Sequence, residues 1–159
     1  MRGEPVRRAS TGRALRLVPA QPHAHPAAGA PNEVAIVLPG ERKSVAVGRH
    51  WVVRVAADAG ITGMANQVVE LLASELLTNA VLHGSASEGI GLRVRWCAES
   101  LRVWVSDPER AEPLVLHPAP VDPGGRGMAI VDAMSSRWGV DAHDGEGKSV
   151  WFEVDIDQY

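Results

Sequence analysis

Cysteine is almost missing from this chain: Cys97 is the only one in 159 residues. A single thiol forms no internal disulfide and builds no cysteine-rich zinc site. A reducing compartment is the natural setting. Long apolar runs are missing too, and none approaches the ~20 residues needed to span a bilayer. The basic N-terminus does not make an export signal, because Arg13, Arg16 and Pro19 break up the stretch after Arg7 and Arg8. A large net charge is also absent. The total of -3 argues against a general nucleic-acid binder. Within residues 1–32, five arginines against Glu4 give +4, which leaves -7 on the remainder. That acidic remainder would repel a phosphate backbone. The expectation is a cytoplasmic protein with no membrane segment and no direct nucleic-acid partner.

What is present fits one domain. Hydrophobic residues make up 45% of the chain, which is ordinary for a soluble globular fold. Residues 1–32 are rich in Pro, Ala, Gly and Arg and show no periodicity, so they read as a disordered leader. Residues 33–159 read as the folded domain. The run from Val34 to Leu38 is short, apolar and closed by Pro39-Gly40, a strand. A helix follows from about Lys43 to Ala59, stopped by Gly60. A stronger helix runs from about Met64 to His83, with Val68, Leu71, Leu72, Leu76, Ala80 and Val81 on its apolar side and Gly84 as its stop. Ile90, Leu92, Val94 and Trp96, then Leu101, Val103 and Val105, alternate with polar residues and predict a hairpin. Asp107 to Gly124 holds five prolines without a period. It reads as a loop of the length that lids have. A helix from about Arg126 to Arg137 and two strands, about Trp138–His143 and Ser149–Ile156, complete the chain. The expected class is α/β, as an α+β two-layer sandwich. Its sheet is mixed but mostly antiparallel, with helices packed on one face and polar alternates on the other.

Three features carry possible chemistry. Glu75, Asn79 and His83 stand at i, i+4 and i+8, so all three can point into one site. The Asn79 amide oxygen is a hard ligand suited to Mg²⁺. A carboxylate one turn away can take a proton from an attacking hydroxyl. The same spacing also fits the solvated edge of an amphipathic helix. Gly124-Gly125-Arg126-Gly127 leads straight into Met128-Ala129-Ile130-Val131. Glycines admit close backbone approach, the helix start attracts anions, and Arg126 adds a fork of donors. A plain loop-to-helix turn would look similar. It is not a phosphate loop of the Gly-Lys-Ser/Thr kind. Asp107 ends a strand, where it could accept from the exocyclic amine of adenine or simply start an Asp-Pro turn. Lys148 and Ser149 could reach a phosphate, although a hairpin also explains Gly147. The tryptophans suit packing, and the histidines form no metal-ligand cluster.

Together the motifs resemble the histidine-kinase-like ATPase domain family, and within it the stand-alone anti-sigma-factor serine/threonine kinases. Ser74-Glu75-Leu76-Leu77-Thr78-Asn79-Ala80-Val81-Leu82-His83-Gly84 is similar to the family's asparagine box. Val105-Ser106-Asp107 is similar to its first glycine box, and Gly125-Arg126-Gly127-Met128 to its second. The closing hairpin with Gly147-Lys148-Ser149 supports the likeness. The resemblance implies a Bergerat-type ATP-binding fold with ATP and Mg²⁺ as cofactors. It implies that Glu75 is the general base, that Asn79 holds Mg²⁺, and that Asp107 reads adenine. ATP contacts are implied for Asn79, His83, Asp107, Gly125, Arg126, Gly127, Met128, Lys148 and Ser149. It further implies a sigma factor and a STAS-domain antagonist as partners, and a possible homodimer. Two departures stand out. Pro108-Glu109 follows Asp107 where the family has Asp-x-Gly, and Lys148-Ser149 stands where Gly-Thr is common. The first leaves open an alternative, a non-catalytic ATP-binding regulator that works by partner contact alone.

Overall fold

The period-two alternation read from the hairpin sorts the sheet into two chemically different faces. The computed structural model describes residues 16–18, 32–83, 89–107, 126–143 and 147–159. Its strands are β1 (Arg16–Val18), β2 (Asn32–Leu38), β3 (Ile90–Trp96), β4 (Ser100–Asp107), β5 (Arg137–His143) and β6 (Gly147–Asp155). Its helices are α1 (Lys43–Asp58), α2 (Gly63–His83) and α3 (Arg126–Met134), with a 3-10 turn at Ile156–Gln158. The strands form one sheet in the order β1-β2-β3-β4-β6-β5. All five described pairings are antiparallel. This is the expected α+β arrangement.

One face is apolar and packs under the helices. Leu92 opposes Val105 and Val94 opposes Val103. Val103 in turn opposes Phe152, and Leu101 opposes Val154. All of these are buried in one cluster with Val52 and Ala56 of α1, Val131 of α3, and Val68, Val69, Leu72, Ala73, Leu76 and Leu77 of α2. Each such Leu, Val or Phe contributes about 1.5–3 kcal/mol on burial. The inner strands β3, β4 and β6 and the three helices are therefore held by the same apolar layer.

Local signals set the C-terminal end of α1 and its approach to α2. Gly60 takes a φ of 85°, a conformation that costs glycine little. It lets the Gly60 N–H donate to the Ala57 carbonyl and the Ile61 N–H to the Ala56 carbonyl, both at 2.9 Å. That bond pair is the Schellman ending, and buried Ile61 supplies its apolar contact.

Among the described residues the other face carries no helix. Its alternates are Glu33 on β2, Arg93 and Arg95 on β3, Arg102 and Trp104 on β4, Trp151 and Glu153 on β6, and Arg137 on β5. The Arg93 guanidinium lies 4.1 Å from the centre of the Trp104 ring, and that of Arg102 lies 4.1 Å from Trp151. Glu33 pairs with Arg95 at 2.7 Å. Glu153 pairs with Arg102 at 2.7 Å and also with Arg137. These side chains cover Trp104 so well that it is only 5% exposed.

Some boundaries differ from the sequence reading. Arg16–Val18 pair with Ala35–Val37 as an edge strand inside the expected leader. The rest of that leader lies outside the described residues, as does the expected loop over 108–124. The last helix stops at Met134 instead of Arg137. Ser136 turns the chain by donating its N–H to the Glu153 carbonyl at 2.8 Å, and Arg137 then joins β5 opposite Glu153. Among the described residues no helix is long and apolar enough to cross a membrane.

Candidate functional site

The buried residues of α2 fix its rotation. With Leu72, Ala73, Leu76 and Leu77 in the core, Glu75 and Asn79 fall on a half-buried flank. That flank meets the start of α3. A Cβ placed on Gly127 would stand 2.6 Å from Glu75 Oε2 and 3.6 Å from Asn79 Nδ2. Only glycine admits that approach without moving the carboxylate. Two motifs about fifty residues apart in sequence thus touch, and the polar stripe on α2 is no simple solvated edge.

Burial pushes the Glu75 carboxyl above its ordinary value. Losing water disfavours the charged form, so the group holds a proton more readily than a surface glutamate does. A base of that kind is better matched to taking a proton near neutral pH.

The start of α3 adds the anion-attracting part. Gly127 is buried at its second position, and Arg126 is exposed at its first. The unpaired amides of a helix start favour negative charge. Met128 is half-buried and packs against the core, so it anchors this start and leaves the polar work to its neighbours. His83 is exposed at the last position of α2, one turn beyond Asn79. Gly125 lies outside the described residues.

The sheet brings in two further positions. Asp107 ends β4 and is the cross-strand partner of Lys148. By strand parity Lys148 faces the same way as Val150, towards the helices, since it lies two residues from it. The Asp107 side chain, and with it the adenine contact, lies outside the described residues. Ser149 is not brought to this site. It falls on the opposite face, buried, with its hydroxyl 2.6 Å from that of Ser106. One residue of register is enough to make the difference, because neighbouring positions on a strand face opposite ways.

The donor set fits Mg²⁺ better than a metal held by protein alone. Among the described residues no three His, Cys, Asp or Glu stand together. Mg²⁺ commonly keeps several waters and takes one or two protein oxygens plus phosphates. The Asn79 side-chain amide, which stands beside Gly127, carries an oxygen of that kind.

Two contacts at the far end of α3 had no signal in the sequence. The Trp138 indole N–H donates to Asp132 Oδ1 at 2.8 Å. The Tyr159 hydroxyl donates to the Met134 carbonyl at 2.7 Å. Trp138 reads as a packing residue in sequence, and only the tight turn at Ser136 brings its ring edge back to the helix.

The family described as "Histidine kinase-like ATPase domain" matches residues 38–154. Comparison with curated proteins gives no match. Among solved structures, the histidine kinase domain from Erythrobacter litoralis EL346 blue-light activated histidine kinase is similar, at 28% identity and a TM-score of 0.45. That likeness covers 58% of this chain and 45% of the other, so the chain spans less than half of that domain.

Proposed function

The chain belongs to the histidine kinase-like ATPase domain family, and from that membership we propose that it is a Mg-ATP-binding regulator acting as a cytoplasmic serine/threonine kinase. Its substrate is a STAS-domain antagonist, and its second partner is a sigma factor that it sequesters once the antagonist is phosphorylated. The observation that carries the proposal is the contact of Gly127 with Glu75 and Asn79. It sets a proton acceptor, a hard oxygen ligand and an anion-attracting helix start side by side.

Each residue has a role. The amides at the start of α3, with Arg126 beside them, bind the phosphates. Asn79 holds Mg²⁺, which neutralises phosphate charge when bound. Asp107 accepts from the adenine amine. Glu75 accepts the proton of the substrate hydroxyl as its oxygen bonds to the γ-phosphorus and the bond from that phosphorus to the β,γ-bridging oxygen breaks, leaving ADP. Lys148, in register with Asp107, adds positive charge on the helix side of the sheet. A homodimer is compatible with this chemistry and not required by it.

Nucleotide affinity with and without Mg²⁺ tests the binding part. Asn79→Ala is expected to remove most of the metal dependence. Asp107→Asn weakens selectivity for adenine, since an amide donates where a carboxylate only accepts. Transfer of labelled phosphate to a STAS-domain partner tests the enzymatic part. A wild-type protein that binds no Mg-nucleotide would overturn the proposal. Tight binding without transfer to any such partner would leave the non-catalytic regulator.

A further inference from the structure

The short helix that carries Gly127 is fastened at its far end. There the Trp138 indole N–H donates to Asp132 Oδ1 at 2.8 Å, and the Tyr159 hydroxyl donates to the Met134 carbonyl at 2.7 Å. Ser136, just past the helix, gives its N–H to the Glu153 carbonyl at 2.8 Å and its hydroxyl oxygen accepts from the Asp155 N–H at 2.8 Å. At the near end Gly127 rests on Glu75 without a side chain of its own. Helix α3 has nine residues, so it is about 13 Å long. A rod of that length, held at one end and tilted by about 10°, moves its other end by about 2 Å. A shift of that size makes or breaks a hydrogen bond.

We propose that Asp132 and Trp138 form a tether that sets where the first amides of α3 point, and thereby how tightly the protein holds the phosphates of its nucleotide. The inference rests on the Mg-ATP reading above. Both are positioning residues, acting through the helix. Charge gives a sharp alternative. Asp132 is an anion on the helix that receives phosphate, so if its charge were all that mattered, removing it would tighten ATP binding. The tether demands the opposite sign.

The test measures Mg-ATP and adenosine affinity by competition on the whole chain, well below its unfolding temperature. Asp132→Ala and Trp138→Phe are each expected to weaken Mg-ATP about three- to tenfold, the range that loss of one hydrogen bond supports. Adenosine, which has no phosphate, keeps its affinity. Asp132→Asn retains an oxygen acceptor and stays near wild type. The double variant Asp132→Ala/Trp138→Phe is no weaker than either single one, since both remove the same bond. Tighter or unchanged Mg-ATP binding in Asp132→Ala overturns the tether. Equal losses for ATP and adenosine also overturn it, because they report a loosened fold. A wild type that binds no Mg-ATP removes the nucleotide reading and the tether together, whereas a wild type that binds, with unaffected variants, removes the tether alone.

Discussion

The two faces of the sheet each hold a half-buried or buried glutamate, and the two are treated in opposite ways. Glu75 is on the helical side, against a glycine, and burial raises its pKa. Glu153 is on the bare side. Burial would raise it too, but hydrogen bonds from Arg137 and Arg102 outweigh that and carry it below its ordinary value. One carboxylate is left under-stabilised as an anion and the other is over-stabilised. Strained ionisation of the first kind marks functional sites more often than structural ones. Satisfied pairs of the second kind mark a structural surface. On the bare face the arginines, lying over Trp104 and Trp151, stand in for a second helical layer. On the proposed function the chemistry belongs to the helical face, which also holds the apolar core, while the bare face adds cohesion alone.

The comparison breaks most visibly at Glu75. Glu75→Ala is expected to lower phosphate transfer by about 10²–10⁴-fold, the usual worth of a positioned base, while Mg-ATP still binds. Transfer and binding are read in parallel, and a proportional loss of both would make Glu75 a binding residue. Gly127→Ala comes next. The added methyl would meet Glu75 Oε2 at 2.6 Å, and the far end of a flexible side chain can swing away. The fold survives, as a thermal melt would show, but the base is displaced. Misplacement on the scale of an ångström costs about 10²-fold in rate.

The sequence carried much of the helical face and little of the bare one, for physical reasons. The 3.6-residue period of α2 put Glu75 and Asn79 on one flank, and the glycine turn opening α3 announced a close approach. Both survive in the structure because each depends on a single helix end or helix face. Ser149 was out of reach, since its face depends on pairing with β4 across a long stretch of sequence. Trp104 falls among the polar alternates of β4 by its period and does point to the bare side. Its burial could not be read there, because the groups that cover it come from β3 and its own strand. The short edge strand Arg16–Val18 was hidden by a composition that suggests disorder, and it exists through its pairing with β2.

On the bare face, Glu153→Gln is expected to cost about 1–3 kcal/mol at neutral pH, because two guanidiniums lose a charged partner. Nucleotide affinity should not change. The sign with pH follows from the lowered pKa. The stabilisation is complete above the ordinary carboxylate value of 4.5 and is lost as pH falls through the lower folded value. Wild type and variant therefore converge in acid, which denaturant titrations at several pH values would show. Arg93→Ala, removing one guanidinium from Trp104, is worth about 0.5–1 kcal/mol and again leaves nucleotide binding alone. A large change in ATP affinity from either substitution would mean that the two faces do not divide the work.

The smallest effect sharpens the contrast furthest, because it has the opposite sign. The raised pKa of Glu75 means that its proton is held more tightly in the folded chain than in the unfolded one. Its favourable contribution is complete below the ordinary value of 4.5 and is lost as pH rises through the higher folded value. At neutral pH, ionised Glu75 is thus a small burden on the fold. Glu75→Gln removes that burden and should slightly stabilise the nucleotide-free protein, an effect that solvent screening keeps small at a half-buried position. The gain should vanish as pH falls below 4.5, where both side chains are neutral. One substitution of Glu by Gln would then stabilise at neutral pH while the other, across the same sheet, destabilises. If Glu75→Gln destabilises instead, the carboxylate has a stabilising partner in the folded state, and its place as a strained base is lost.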